Sequence, residues 1–223
     1  MDYRIISIGT LSQNEFWNEP PAQRTPHATT TLIRSKDRVI LVDPGLPAQV
    51  VAARLKERAG IGPEAVTEVF LTNFRPAHRR GLEAFAQAAW LVSEAEREVV
   101  GKALVEQYRL NDDEKIKTLI GQDIALLKRC QRAPDRLAEH VDLFPLPGFT
   151  PGTCGLLLSH PNSTTLVAGD AVATSEHLDA GRVLRGSYDT TQALESFTEA
   201  IEIADAIIPG HDNLILNPTR RRL

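Results

Sequence analysis

Three short apolar runs open the chain, at residues 3–10 (YRIISIGT), 29–35 (TTTLIRS) and 38–43 (RVILVD). Each is rich in β-branched residues and bounded by polar or turn-forming ones, the pattern of strands. The pair Lys36-Asp37 between the second and third fits a tight hairpin turn. Residues 11–27 are polar and proline-rich, with Phe16 and Trp17 side by side. A loop this long points to a binding role, or to two aromatics packing down to anchor it.

The period then changes. Val50, Val51, Leu55 and Ala59 share one side of a helix over residues 47–60, with Gly60 as its stop. Strand-like runs follow at 68–73 and 89–93, joined by a loop and a helix expected over 81–88. Ser93 with Glu96 reads as a capping box opening a helix to about Leu110. Asn111 with Glu114 reads as another, opening a helix whose Ile116, Leu119, Ile120, Ile124 and Leu127 form one stripe. Strands return at 141–146, 155–160 and 164–170, then a helix over about 191–204 and the run AIIPGHDN. There is no internal repeat.

Composition narrows the function. The 223 residues suit one compact domain or two small ones. With 42% hydrophobic and 24% charged residues, a packed core is expected. A net charge of −4 argues against a nucleic-acid binder, which needs a basic surplus. No run approaches the ~18 apolar residues of a membrane span, and the N-terminus lacks the marks of a secretory signal. Two cysteines make no disulfide framework. A cytoplasmic, reduced protein is the expectation, with the tail TRRRL a solvated basic end.

Four landmarks carry the candidate chemistry: LVDPG (41–45), LTNFRPAHRRG (71–81), PGFTPGTCG (147–155), and the pair GD (169–170) with PGHD (209–212). In this order they resemble the metallo-β-lactamase superfamily over nearly the whole chain. The resemblance implies an α/β fold, a four-layer αββα sandwich of two mixed β-sheets flanked by helices. It would be a single domain over 1–223 with a helical insertion at about 93–140. The family motif is T-H-x-H-x-D-H-x-x-G, followed by T-P-G-H, an Asp after a glycine, and P-G-H. Asn73 stands at its first His, Arg75 at the second, Ala77 at the Asp and Thr153 at the T-P-G-H His. His78, Asp170 and His211 match.

Under that resemblance the first of two zinc positions loses all three imidazoles. Amide and hydroxyl oxygens are poor zinc ligands, and a guanidinium cannot bind a cation. The second position keeps His78, Asp170 and His211, a ligand set that suits one divalent ion, zinc ahead of iron or manganese. The expected cofactor is therefore none or one such metal. Each ligand also has a plain reading: His78 as a hydrogen-bonded loop histidine, His211 as a strand-end cap, Asp170 as an acceptor for loop N–H groups.

Asp43 resembles the family's buried supporting aspartate. Arg75 is expected to turn toward Asp170 and replace the first metal electrostatically. Together with Arg79, Asn73 and Thr153 it forms a candidate binding surface for a small anionic ligand, against the plainer reading of a solvated cationic loop. Cys154, one position out of register, is a candidate thiolate ligand or a core residue. The preferred function is a member lacking two-metal hydrolysis that binds a small anion. The alternatives are a one-metal hydrolase using His78, Asp170 and His211, and a non-catalytic scaffold.

Overall fold

The computed structural model describes residues 1–20 and 22–220; the basic tail beyond Arg220 lies outside the described residues. The chain builds two mixed six-stranded sheets in succession. In the first, β1 (Asp2–Ser7), β2 (Thr30–Ser35) and β3 (Arg38–Val42) run antiparallel. From β3 the sheet continues in parallel through β4 (Glu68–Leu71), β5 (Ala89–Val92) and β6 (Gln131–Arg132).

The second sheet takes β7 (Arg136–Ala138), β8 (Val141–Pro145), β9 (Cys154–His160) and β10 (Ser163–Gly169) antiparallel. Strand β11 (Ala206–Pro209) lies parallel to β10, and β12 (Ile215–Leu216) closes the edge. The hairpin joining β2 to β3 turns at Lys36-Asp37, where Ser35 pairs with Arg38 and Lys36 takes φ 53°.

Strand alternation sorts side chains into layers. Along β3, Ile40 and Val42 enter the space between the sheets, while Leu41 faces the other way. In β4 the inward residue is Phe70, flanked by Val69 and Leu71 on the outer face; in β10 it is Val167, flanked by Leu166 and Ala168. Strands buried on both faces read as unbroken apolar runs. Helix α1 (Ala48–Ala59) covers the first sheet with Val51 and Leu55, and ends at Gly60 in the left-handed conformation. Helices α5 (Ser175–Ala180) and α6 (Thr190–Ile203) cover the second, with Leu178, Phe197 and Ala200 in its outer cluster. The order of layers is α, β, β, α.

Three local expectations are corrected. The helix expected over 81–88 is instead a short α2 (Pro76–Arg79) and a 3-10 turn at Leu82–Phe85. In α3 (Glu94–Leu110) Ser93 caps the helix by accepting from Glu96 N, but the Glu96 carboxylate turns inward to other partners. Helix α4 (Glu114–Arg129) is capped by Asp113, because Asn111 spends its side-chain oxygen on Asp113 N. Its apolar stripe is real, but only Leu127 is buried; Ile116 and Leu119 face solvent.

Candidate metal centre

Parallel strands bring their C-terminal ends to one edge, where α/β proteins commonly place ligands. Strand β3 delivers Asp43 there, β4 delivers Thr72 and Asn73, β10 delivers Asp170, and β11 delivers His211. Helix α2 contributes His78. Two glycines permit the close approach. Gly169 has φ 54°, and a Cβ there would stand 2.6 Å from Thr72 Oγ1; a Cβ on Gly210 would stand 2.7 Å from Asp170 Oδ1. Only glycine fits such positions without strain.

Both histidines are fixed by what holds Nδ1. Thr72 donates twice to Asp43, from its backbone N to Oδ1 at 2.8 Å and from its hydroxyl to Oδ2 at 2.6 Å. His78 Nδ1 then lies 3.0 Å from Asp43 Oδ2 and 3.1 Å from Thr72 Oγ1, facing acceptors only. His211 Nδ1 faces the carbonyls of Thr10 and His27 at 3.1 and 3.0 Å. Each Nδ1 therefore carries a hydrogen, and each Nε2 is turned to Asp170. Carboxylate and carbonyl partners on the far ring nitrogen are the usual support of metal-binding histidines.

Asp170 is the hub. Its Oδ2 receives His78 Nε2 at 2.8 Å and the amide of Asn73 at 2.9 Å. Asn73 is held in that orientation because its own oxygen accepts Arg75 N at 3.0 Å. His211 Nε2 is 3.0 Å from Oδ1, an ion-pair distance but off the line of a ring N–H. That buried oxygen accepts no hydrogen bond from the described residues. An unsatisfied buried carboxylate oxygen beside an imidazole nitrogen fits a cation. His78, Asp170 and His211 offer ligand atoms all within 4.8 Å of one another, a group that could hold one metal ion.

Electrostatics among the side chains set their charges under burial. Burial works against charge on His78, but Asp170 and Asp43 on its two sides raise it to about 10, so the ring is an imidazolium. Burial likewise works against charge on Asp170, and His78 with His211 holds it well below the ordinary carboxylate range. The cation beside Asp170 is thus His78. The expectation for Arg75 is corrected: its exposed guanidinium stacks 4.6 Å from the centre of the Phe149 ring, and among the described residues it makes no ion pair with Asp170. The face of the aromatic ring attracts the guanidinium.

The other residues singled out from the sequence are committed elsewhere. Arg79 pairs with Asp123 of α4 at 2.7 Å and donates to Phe74 O. Thr153 is buried, its hydroxyl 2.6 Å from that of Thr150 and accepting Thr150 N. Cys154 is buried in the core between the sheets, and burial pushes its thiol up to about 12. His177 sits in α5 against Phe16, not at the cluster.

Sequence reading missed Glu96, whose buried carboxylate accepts from Phe74 N, Thr150 Oγ1 and Gly152 N. An acid in a helix's first turn gives no hint of such a role. Loop 11–27 does reach the site's edge: Trp17 donates to Glu176 at 2.7 Å, beside a hollow of about 200 Å³ lined by Arg24, Asp212 and His211. Within the cluster His78 and Asn73 are fully buried, and His211 is the member that lines this hollow.

A family model described as the metallo-beta-lactamase superfamily matches residues 25–211. Among solved structures, a Thermotoga maritima protein described as a candidate metallo-beta-lactamase is 19% identical, with a TM-score of 0.66 over 96% of this chain and 98% of its own. AiiA of B. thuringiensis, with N-decanoyl-L-homoserine at its active site, is 19% identical at 0.66 over 94% and 92%. AidC, a dizinc quorum-quenching lactonase, is 19% identical at 0.64 over 78% and 67%. Among curated protein sequences none matches.

Proposed function

From a chain that belongs to the metallo-β-lactamase superfamily, we infer a member that has given up two-metal hydrolysis and keeps at most a one-cation site. The observation that carries this reading is the state of Asp170 Oδ2. In the family that carboxylate bridges two ions; here Oδ2 is taken up by the Asn73 amide and by His78. Asn73 is a neutral donor at the position of an imidazole ligand, and Thr153 is bound into the Thr150–Glu96 network. Among the described residues, Asn73, Arg75 and Thr153 offer no imidazole for a first ion.

His78, on giving up its Nε2 proton, would join Asp170 and His211 in holding the single divalent cation, zinc before iron or manganese, because both Nδ1 atoms are tied and both Nε2 atoms converge. Such an ion polarises a carbonyl or phosphoryl oxygen and acidifies a bound water. The protein's own part is orientation: Asp43 and Thr72 fix His78, two carbonyls fix His211, and Asn73 steadies Asp170. A small ligand would approach through the hollow beside His211, where Arg24 and Trp17 meet Glu176 and Asp212. Of the two arginines expected to attract an anion, Arg75 is exposed and Arg79 is paired with Asp123.

A second reading, a one-metal hydrolase, is favoured by the intact histidine support. One experiment covers both. Elemental analysis of protein purified from zinc-supplemented culture should give no more than one equivalent, reduced by His78→Ala and by His211→Ala. Two equivalents, or lactone turnover that requires two, would sink the proposal. Turnover with one equivalent, stopped by a chelator, selects the hydrolase.

A further inference from the structure

The helical hairpin of α3 and α4 leaves an outer face bare. Val99, Val105, Tyr108, Leu110, Ile116 and Leu119 are exposed around the two helices, and Val105 is the one that stands on the outward strip of α3. In the middle of α3 stands Gly101, although glycine weakens a helix interior relative to alanine. Nothing within the described chain requires it: an added Cβ would meet only Leu127 Cδ2, at an ordinary 3.6 Å. The glycine instead opens a hollow of about 260 Å³ walled by Val105, Ile124 and Leu127. It shares Gly101 and Val105 with a second hollow on the outer face of α3, lined by Lys102, Glu106 and Arg109.

The residues of this face read the same when turned end for end. Glu98, Gly101, Lys102, Val105, Glu106 and Arg109 fall on one strip of the helix, at steps of three and four. Reversed about a point near Ala103 and Leu104, the strip places Lys102 against Glu106, Glu98 against Arg109, and Val105 against Gly101. In an antiparallel helix pair related by a two-fold axis, the same flank of each helix meets its counterpart. Gly101 and Val105 share one flank, Lys102 and Glu106 the other, so all three matches form together and each forms twice. The four charged side chains are exposed, and Lys102 reaches its own Glu98 at no better than 4.0 Å.

We propose that this face is a homodimer interface, with α3 of a second copy docking antiparallel on α3 and Val105 of each filling the hollow at Gly101 of the other. An unrelated partner would need no such self-matching order of charge, small residue and apolar knob. Sedimentation velocity on the full chain, over a concentration series, should show a dimer that dissociates on dilution. Lys102→Glu sets a carboxylate against Glu106 twice and should weaken association by about tenfold or more; adding Glu106→Lys should restore it. Val105→Asp should also yield monomer, with the far-ultraviolet circular dichroism of the wild type, since the position is surface-exposed. A wild-type chain that stays monomeric throughout the series overturns the proposal. So does a dimer indifferent to both Lys102→Glu and Val105→Asp.

Discussion

Replacing His78 with alanine strips an imidazolium from between Asp43 and Asp170. Lifting a histidine from 6.5 to about 10 corresponds to about 5 kcal/mol of preference for the charged ring. Removing one member of a buried pair costs about 3–5 kcal/mol by comparison. Asp43 keeps both Thr72 donors and Asp170 keeps Asn73, so the loss should sit near the lower end, about 3 kcal/mol.

The pH dependence has a defined sign. The folded pKa of His78 lies above the unfolded value, so its contribution is complete below about pH 6.5 and is lost as pH rises through about 10. Asp170 runs the other way: its contribution is present above 3.8 and lost as pH falls through its depressed folded value. The gap between wild type and His78→Ala should be widest near pH 5–6.5 and close toward pH 10. Urea unfolding followed by circular dichroism, with chelator present and pH stepped from acid to alkaline, measures it. A gap below about 1 kcal/mol, or one that does not change with pH, would refute the assigned charge on His78.

Other outcomes follow from the same contacts. Asp43→Asn removes the carboxylate behind His78 and should weaken zinc binding by about 10–100-fold, read by competition with a fluorescent chelator. Glu96→Gln leaves three buried donors facing a neutral amide and should cost about 2 kcal/mol, read from the urea midpoint. Arg75→Ala removes only a stacking contact with Phe149; its effect on stability should stay within about 1 kcal/mol. A loss comparable to that of His78→Ala would show that Arg75 does support Asp170.

The strands and helices were legible from period, whereas the four layers came from the family resemblance that the motifs carry. Alternating and unbroken apolar runs gave the strands, and the order of LVDPG, the 71–81 loop, GD and PGHD gave the edge where they meet. The cluster of His78, Asp170 and His211 was legible as a set of positions, since the motif carries its own spacing. What escaped was direction. The side chain of Arg75 had two attractors, an acid and an aromatic ring 74 positions away, and sequence spacing cannot choose between them. Glu96 was read as a local cap because its partners Phe74, Thr150 and Gly152 are brought to it only by the packed fold. The α4 stripe has the right period, but period does not reveal whether anything covers it.

Glu96 has one further effect. It stitches the start of α3 to the ends of two loops, one from each sheet, through a single carboxylate with no slack: a Cβ on Gly152 would strike Glu96 N at 2.0 Å. The hairpin is therefore no loose appendage: its base is tied by that carboxylate to the backbone at Phe74, next in the chain to Asn73 of the histidine cluster.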